Sequence, residues 1–325
     1  MPFFDMNGMR FRVVGIWKEH FGETNVREMV RDWEGPAVVK PMKRAKVGHH
    51  DRIGEQCRIN SRLLESPRSP ERGEMAGKPC YIVGNGPSLK KNGHLLSGID
   101  TEKSVVIGVN GGIRSCPPGS WFFTIELRPQ DPWFVGGKEW FSQYRAALWS
   151  HTLIFLHRAP WIETRVFNMH LGWHFHDASH EKWPGMMRLD AGLHSTFSAY
   201  HLAYLWGCDP IIFVGCDYSY SDESAIHSHE AGRGDSSDTD QIHVLIGGHQ
   251  FKTDLNYLRM CRHMMAATMF VGDYGRTVMN ATENGIFVMK HPNFGLLDLE
   301  SCIGFLQPKE IANGRVETAL ESATA

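Results

Sequence analysis

Cys80-Tyr-Ile-Val-Gly-Asn-Gly-Pro-Ser-Leu89 is the stretch of this chain that decides its expected fold. Residues 81–83 form a short apolar run, which predicts a buried strand, and the glycines and proline after it predict a tight turn that opens a helix. Unpaired backbone N–H groups and the positive end of the dipole at a helix start attract anions, usually phosphate. The predicted anion-binding residues are Gly84, Asn85, Gly86, Pro87 and Ser88.

The same turn also has a purely structural interpretation. Glycine-rich turns join strands to helices in many proteins without binding a ligand. This turn lacks the full dinucleotide fingerprint, and it lacks the Lys-Ser/Thr pair of a P-loop. Taken alone, it does not decide between a phosphate site and a connector.

The composition bounds the class of protein. The chain has 325 residues, enough for one large domain with extensions, and its net charge of −2 gives no general attraction to nucleic acid or anionic membranes. Its seven cysteines include no Cys-x-x-Cys pair, so neither a zinc knuckle nor a disulfide scaffold is indicated. With no signal-peptide pattern and no apolar run long enough to span a bilayer, we expect a cytoplasmic protein without a membrane span.

The chain divides by composition into three parts. Residues 1–78 are expected to form an N-terminal extension with a basic linker, because residues 40–72 are rich in Arg and Lys around a Ser-Pro-Arg-Ser-Pro segment. Residues 79–305 are expected to form the catalytic domain, and 306–325 a weakly structured tail. Within the domain, the long polar stretch at about 221–248 shows no hydrophobic periodicity and predicts a lid-like insertion.

From residue 79 onward, short apolar runs alternate with helical patterns. This rhythm predicts an α/β fold with a doubly wound, mainly parallel, Rossmann-like sheet, in which ligands bind beyond the carboxyl ends of the strands. The predicted strands are 80–83, 105–109, 121–125, 152–156, 166–169, 211–214, 268–271 and 285–289, and the predicted helices are 87–97, 137–147, 192–206 and 252–267.

Polar residues follow several of these strands. Asn110 and Gly111 follow the second, where an amide beside glycines could contact a base or ribose, although such a sequence is also an ordinary turn. Glu126 follows the third strand and has an exposed ion pair with Arg128 as its alternative explanation. Asp217, Tyr218 and Tyr220 follow the strand at 211–214, where a carboxylate could orient a sugar hydroxyl, bind a metal or cap the loop, and a phenol could donate to phosphate.

Two histidine-containing segments bear on the chemistry. His249 lies in a Gly-Gly-His loop before the helix at 252–267, where it could project into a cleft as a general acid or base, or be an exposed loop residue. His227 and His229 in the polar stretch have loose spacing and no fixed third ligand, so no metal site is predicted from them.

Four segments, taken in order, resemble the MptE-like domain superfamily. They are Val-Gly-Asn-Gly-Pro-Ser-Leu at 83–89, Gly-Val-Asn-Gly-Gly at 108–112, Ala-Gly-Leu-His-Ser-Thr at 191–196 and Ile-Ile-Phe-Val-Gly-Cys-Asp-Tyr at 211–218. That superfamily includes archaeal 6-hydroxymethylpterin diphosphokinases and flagellar motility accessory proteins, and the order of segments is also similar to bacterial sialyltransferases that use CMP-sialic acid. The resemblance covers roughly residues 79–290 and implies a sialyltransferase-like GT-A variant of the Rossmann-like fold.

The sialyltransferase resemblance implies roles for particular residues. It places Gly86, Pro87 and Ser88 near the donor nucleotide and Asn110 beside the nucleotide or sugar. Arg188 and Gly192 correspond to the start of the segment that cradles the donor, and the sequence from Asn280 resembles the family's closing loop. His249 matches the general base that activates the acceptor hydroxyl. The chain departs from the pattern at Asp190-Ala191, where the sialyltransferases have Thr-Ser, and at Ser219, where they have Tyr.

The leading hypothesis is a glycosyltransferase that uses a nucleotide-activated sugar, with CMP as one option for the nucleotide. His249 would be the general base toward an unknown hydroxyl acceptor, and no metal would be required. The alternative is an MptE-like pyrophosphokinase acting on a pterin-like or other hydroxymethyl substrate, in which Asp217 and Glu126 hold Mg²⁺. A non-catalytic nucleotide-binding accessory protein is the third hypothesis. Exposed aromatic residues near Trp133 leave room for a homo-oligomer.

Overall fold

The computed structural model describes residues 67–125, 142–150, 152, 163–170, 183, 185–190, 194–220, 241–246, 249–273, 275–287 and 294–306. Several predictions fall outside these residues: Glu126, Gly192, most of the extension at 1–78, the greater part of the insertion at 221–248, and the tail after residue 306.

Nine of the described strands form one sheet in which every neighbouring pair is parallel. Its order is β11-β10-β7-β1-β2-β3-β4-β5-β6. A separate antiparallel hairpin consists of β8 and β9. The strands are β1 Cys80–Val83, β2 Val105–Val109, β3 Trp121–Thr124, β4 Arg145–Trp149, β5 Thr164–His170, β6 Arg188–Asp190, β7 Ile211–Val214, β8 Gln241–Ile246, β9 His249–Asp254, β10 Val278–Asn280 and β11 Phe294–Leu296.

Helices cover both faces of the sheet, as expected for a doubly wound fold. The α-helices are α1 Leu89–Asn92, α2 Ser195–Leu205, α3 Leu255–Asp273 and α4 Leu299–Leu306, and two 3₁₀ helices span Gly93–Gly98 and Asn110–Ser115. Buried side chains of α2 and α3 pack on the face that carries Ile82, whereas α1 and α4 pack on the face that carries Val83. The fully buried, near-continuous apolar strands β1, β2 and β7 are typical of a parallel sheet covered on both sides.

The strand order places the switch point between β1 and β7. From β1 the chain builds outward through β2 to β6, and then it returns to add β7 on the opposite side of β1. The two neighbouring loops at this reversal diverge, and the crevice between them is where ligands bind in sheets of this class. The loops in question are those after Val83 and after Val214, both of which the sequence had singled out.

Parts of four predicted elements are wrong in type, although the helix predicted at 252–267 is confirmed from residue 255 onward. Residues 145–147, predicted as helix, belong to strand β4, because small and apolar residues with good helix propensity also fit a strand buried on both faces. Residues 268–271, predicted as a strand from their β-branched and aromatic content, belong to the 19-residue helix α3. Residues 252–254, predicted as helix, end strand β9, and residues 285–287, predicted as strand, form a loop after β10.

The described end of the N-terminal segment, residues 67–78, packs against the domain. The backbone of Met75 donates a 2.9 Å hydrogen bond to Trp206, and the backbone of Val166 donates one of 2.9 Å to Arg68. Arg165, which is 3% exposed, forms a 2.6 Å ion pair with Glu74. Residues 67–78 are therefore packed on the same unit as the strands that follow them.

The hairpin β8–β9 occupies the end of the predicted lid. Residues 241–246 pair with residues 249–254 in antiparallel register, with His243 opposite Lys252. This part of the predicted insertion has regular secondary structure, and residues 221–240 lie outside the described residues. In β8 the apolar residues are interrupted by His243, and β9 is polar except for Phe251, so a search for continuous apolar runs does not detect the hairpin.

Candidate functional site

The loops after β1, β2 and β7 meet in direct contact at the switch point. The backbone N–H of Gly84 donates to Val214 at 2.8 Å, and that of Gly86 donates to Gly215 at 2.8 Å. A Cβ atom on Gly112, in the loop after β2, would collide with the carbonyl oxygen of Gly84. These contacts explain why the loops are rich in glycine: the three backbones approach too closely for side chains.

Asp217 fastens the loop after β7 to the loop after β1. Its Oδ1 accepts a 3.2 Å hydrogen bond from the backbone N–H of Ser88, and its Oδ2 accepts a 2.8 Å hydrogen bond from the Ser88 hydroxyl. A Cβ on Gly86 would collide with the same carboxylate. Both donors of Ser88 are therefore used within the protein, at the position where the sequence suggested a phosphate.

Burial raises the pKa of Asp217 to about 7, and the hydrogen bonds from Ser88 offset only part of that effect. The side chain is 2% exposed, so the charged form loses most of its hydration. The neutral form of this carboxyl is thus favoured more than in water, and its geometry is that of a clamp between two loops.

Asn110 lies beside the start of α2. Its φ of 51° is in the left-handed region, and its Nδ2 donates to the Ser195 hydroxyl at 3.3 Å. Its Oδ1 is buried and has no hydrogen-bond partner among the described residues. Gly111 is buried within the 3₁₀ helix that follows β2. An amide oxygen without a partner is a candidate acceptor for a ligand donor, such as a base amine or a sugar hydroxyl.

The two tyrosines after Asp217 have different partners. Tyr220 donates a 2.6 Å hydrogen bond to Asp254 Oδ2, at the junction of β9 and α3. Tyr218, whose φ is 52°, places its phenol 3.5 Å from His194 Nε2, at the start of α2. Tyr220 is thereby engaged in holding the hairpin, whereas Tyr218, the residue after Asp217, places its phenol at the start of α2.

Two histidines, of which His194 lies beside Tyr218, were not among the predicted site residues. Burial lowers the pKa of His194 to about 3, with a further contribution from His263, and burial also lowers the pKa of His263 to about 4. The ring of His263 stacks on Phe197 with centroids 4.3 Å apart. The motif Leu-His-Ser-Thr directly before α2 was the signal in the sequence, but the partner on α3 is 69 positions away and only the fold reveals it.

The segment at 280–287, which begins with the residues that resemble the family's closing loop, is hydrogen-bonded to the loop after β7. The backbone N–H of Ile286 donates to the Asp217 carbonyl at 2.9 Å. The Glu283 carboxylate accepts from Asn92 at the end of α1 and from the first backbone N–H of α4, both at 3.0 Å. These contacts make the segment a structural brace between α1, α4 and the loop after β7.

The remaining predicted residues are distributed as follows. His249 is the first residue of β9, paired with Ile246 across the hairpin turn, and not a loop residue before a helix as predicted. Arg188 begins β6, the edge strand, five strands from β1, and none of its described contacts joins it to the loop at 84–88. Asp190, the departure from the sialyltransferase pattern, is buried against His201 of α2.

No group of three or more His, Cys, Asp or Glu side chains that could hold a metal ion occurs among the described residues. Glu126, one of the two residues expected to hold Mg²⁺ in a pyrophosphokinase, lies outside the described residues. In the same part of the chain, no helix is both long and apolar enough to cross a membrane.

A cavity of about 240 Å³ lies at the opposite, amino-terminal end of the strands. It is lined by Trp121, Lys78 and Arg145, among others, and Arg145 is paired with Glu163 at 3.2 Å. None of the predicted site residues lines it. The crevice at the switch point is therefore the better candidate, since it unites the loops that carry the polar residues.

Comparisons with known proteins bear on the fold. No family profile matches the sequence, and no curated protein sequence matches it. Among solved structures, the chain is similar to the MAf glycosyltransferase from Magnetospirillum magneticum AMB-1, with a TM-score of 0.55 at 14% identity. The match covers 78% of this chain and 39% of that protein, so the chain spans less than half the length of the protein it resembles. The chain thus has an α/β, Rossmann-like fold of the kind found in that glycosyltransferase.

Proposed function

We propose that this protein is a glycosyltransferase that uses a nucleotide-activated sugar. The observation that carries the proposal is its likeness in fold, over 78% of the chain, to the MAf glycosyltransferase. The crevice at the β1/β7 switch point supports it independently, because this is the position at which sheets of this class bind nucleotides. The sialyltransferase resemblance of the sequence adds CMP as a nucleotide to test first.

The donor is expected to bind over the loops that follow β1, β2 and β7. The unpaired Oδ1 of Asn110 would accept a hydrogen bond from the base or sugar. Because Ser88 already donates twice to Asp217, and the N–H groups of Gly84 and Gly86 donate to Val214 and Gly215, the role of the loop at 84–88 is best described as shaping the crevice.

The acceptor hydroxyl needs a base, and the departing nucleotide phosphate needs hydrogen-bond donors. His249 is the proposed base, on the strength of the family pattern in the sequence. Tyr218 is the proposed donor to the phosphate, because it directly follows Asp217 in the loop after β7 and its phenol lies at the start of α2. Asp217 acts by holding these loops together.

The proposal is tested by thermal shift and by turnover. We expect a CMP-, UDP- or GDP-linked sugar to raise the melting temperature and to be hydrolysed slowly without added metal. A ligand at 100 times its Kd adds about 2.7 kcal/mol to the free energy of unfolding, which is easily measured. The variant His249→Ala should lose about 100-fold or more in turnover and still bind nucleotide. Its matched control is His243→Ala, an exposed histidine on the other strand of the same hairpin.

Other outcomes separate the remaining hypotheses. Strict Mg²⁺ dependence with release of AMP from ATP would contradict the transferase and support pyrophosphoryl transfer. Absence of any thermal shift across nucleotides and nucleotide sugars would remove both enzymes and leave the accessory protein. Full turnover by His249→Ala would reject the proposed base while leaving the donor site intact.

A further inference from the structure

The phenol of Tyr218 lies in a hydrogen-bonded cluster that the motifs of the sequence do not assign. His194 and Thr196, both at the start of α2, contact it from one side. The phenol oxygen is 3.5 Å from His194 Nε2, and Thr196 supplies a second side-chain hydrogen bond to it. The rings of Tyr218 and His194 meet edge to face, with centroids 5.4 Å apart.

The far side of the His194 ring is also occupied. The His194 ring donates a hydrogen bond to the backbone carbonyl of Met260 on α3. The His263 ring lies close enough to disfavour a positive charge on His194. Burial and His263 together lower the pKa of His194 to about 3, so the imidazole is neutral at physiological pH. A neutral imidazole has one N–H; because Met260 takes it, the ring nitrogen toward Tyr218 is the acceptor.

The Tyr218 ring has little freedom to leave this position. Its backbone is in the left-handed region at φ 52°, directly after Asp217, which is itself fixed by Ser88. Its ring packs edge to face on Phe287 with centroids 5.8 Å apart. The phenol oxygen is thus held between α2, α3 and the base of the switch-point crevice.

The phenol's hydrogen bond to His194 is long, and both groups are neutral. Hydrogen bonds to an anion are shorter and roughly twice as strong as neutral ones. A phosphate oxygen that comes within reach of Tyr218 would therefore compete with His194 for the phenol O–H.

We propose that His194 is a positioning residue for Tyr218: it accepts the phenol O–H in the free protein, fixes the phenol oxygen together with Thr196, and yields the O–H to the departing nucleotide phosphate. This inference rests on the proposed transferase function. No bond is made or broken at His194 itself, and the proton stays on the phenol oxygen while its acceptor changes from nitrogen to phosphate oxygen.

The first test does not depend on activity. ¹⁵N NMR of histidine-labelled protein, with the His194 signal assigned by its loss in His194→Gln, should show a neutral ring protonated on the nitrogen toward Met260 at pH 6–8. Tyr218→Phe should shift the signal of the other ring nitrogen, and so should addition of CMP to the wild type. A protonated ring at pH 6–8, the opposite tautomer, or no response to Tyr218→Phe would overturn the proposal.

The second test uses turnover of the nucleotide sugar that the wild type accepts. We expect His194→Phe and Tyr218→Phe each to lower kcat by about 10- to 100-fold with KM changed less than about threefold, and the double variant to be no worse than either single one. His194→Gln keeps an acceptor oxygen and should recover part of the loss. Exposed His94→Gln is the matched control.

Folding is monitored for each variant by its melting temperature. Thr196→Val keeps the shape of the side chain and removes one hydrogen bond to the phenol, so it serves if the His194 variants do not fold; it should also lower kcat more than KM. If the losses in kcat of the two single variants add up in the double variant, the positioning role is contradicted. A loss of kcat/KM that comes from a higher KM alone would contradict it as well. A wild type inactive on every nucleotide sugar would refute the proposed function, whereas the NMR result would still decide whether His194 holds Tyr218.

Discussion

At the scale of single residues, Asp217 has the most unusual environment of the site. It is a carboxylate with no cation paired to it among the described residues, held by two donors of one serine and buried to 2% exposure. Burial raises its pKa to about 7, above its ordinary value of 3.8. The folded protein therefore binds a proton there that the unfolded chain has already lost between pH 4 and 7.

This environment predicts a pH-dependent effect of Asp217→Asn. Because the folded state binds more protons in this window, the Asp217 contribution to the free energy of unfolding falls as pH rises, by about 1.4 kcal/mol per pH unit at most. The variant lacks this titration, so it should gain stability relative to the wild type between pH 4 and 7. Urea unfolding of both proteins at pH 4, 5.5 and 7 measures the difference.

Ser88→Ala is the matched control for this prediction. It keeps the carboxylate but removes a hydroxyl that favours its charged form, so the pKa of Asp217 should rise. The pH range over which the free energy of unfolding falls should therefore extend to higher pH. A stability difference between wild type and Asp217→Asn that is constant with pH, or that grows in favour of the wild type, would show that Asp217 is already charged below pH 4.

The identity of these residues was readable from the sequence, but their partners were not. The glycine turn at 84–88, Asn110 and Asp217 were predicted because each directly follows an apolar run. That Asp217 takes both donors of Ser88 depends on two loops 129 positions apart meeting at the switch point. No local pattern carries that information.

At the scale of elements, the hairpin β8–β9 is fastened to the loop after β7. The backbone of Tyr220 donates to Lys252 at 2.8 Å, and the Thr253 hydroxyl donates to the Tyr218 carbonyl at 2.7 Å. Asp254 links the hairpin to α3, since its Oδ1 accepts the backbone N–H of Tyr257 in the first turn. His249 thus lies on a hairpin whose other end, at residues 252–254, is hydrogen-bonded to the loop after β7.

Tyr220→Phe should therefore affect stability more than turnover. It removes a 2.6 Å hydrogen bond to a carboxylate, which is expected to cost about 1.5–3 kcal/mol in the free energy of unfolding. Turnover should stay within about threefold of the wild type, in contrast to Tyr218→Phe. Urea unfolding and initial rates on the same preparations measure both. Loss of turnover at unchanged stability would make Tyr220 the catalytic phenol instead.

Element types were predictable where the signals agreed. Strands β1, β2 and β7 were predicted with their observed bounds, because each is a buried apolar run ended by glycine or asparagine. Strand β4 was predicted as the end of a helix and the end of α3 as a strand, because short runs of apolar residues carry too little periodicity to separate the two types.

At the scale of the whole molecule, the segment before β1, residues 67–78, is joined by an ion pair to β5, four strands away from β1 in the sheet. Glu74 pairs with Arg165 of β5 at 2.6 Å, and Arg165 also pairs with Glu163 at 2.9 Å and lies over the Trp121 ring. The guanidinium is 3% exposed, so it depends on these partners for its solvation.

Glu74→Gln should lower the free energy of unfolding by about 2 kcal/mol. Without the Glu74 carboxylate, the buried Arg165 guanidinium keeps an ion pair with Glu163 alone. Removing one partner of a buried charge generally costs more stability than removing an exposed ion pair. Exposed Glu71→Gln, three residues earlier, is the control and should change stability by less than about 0.5 kcal/mol. Equal effects of the two changes in urea unfolding would mean that residues 67–78 add little to the domain.

The sequence by itself determined the class of fold and the loops that bear the site, because buried strands and glycine turns are local patterns of hydrophobicity and backbone freedom. Only the tertiary structure decided the strand order, which places those loops together at the β1/β7 reversal. It also decided that Ser88 is taken by Asp217, that Tyr220 is engaged with Asp254, and that His194 lies beside Tyr218 and His263. These pairings join residues far apart in the chain, and their energies depend on burial, which no short window of sequence specifies.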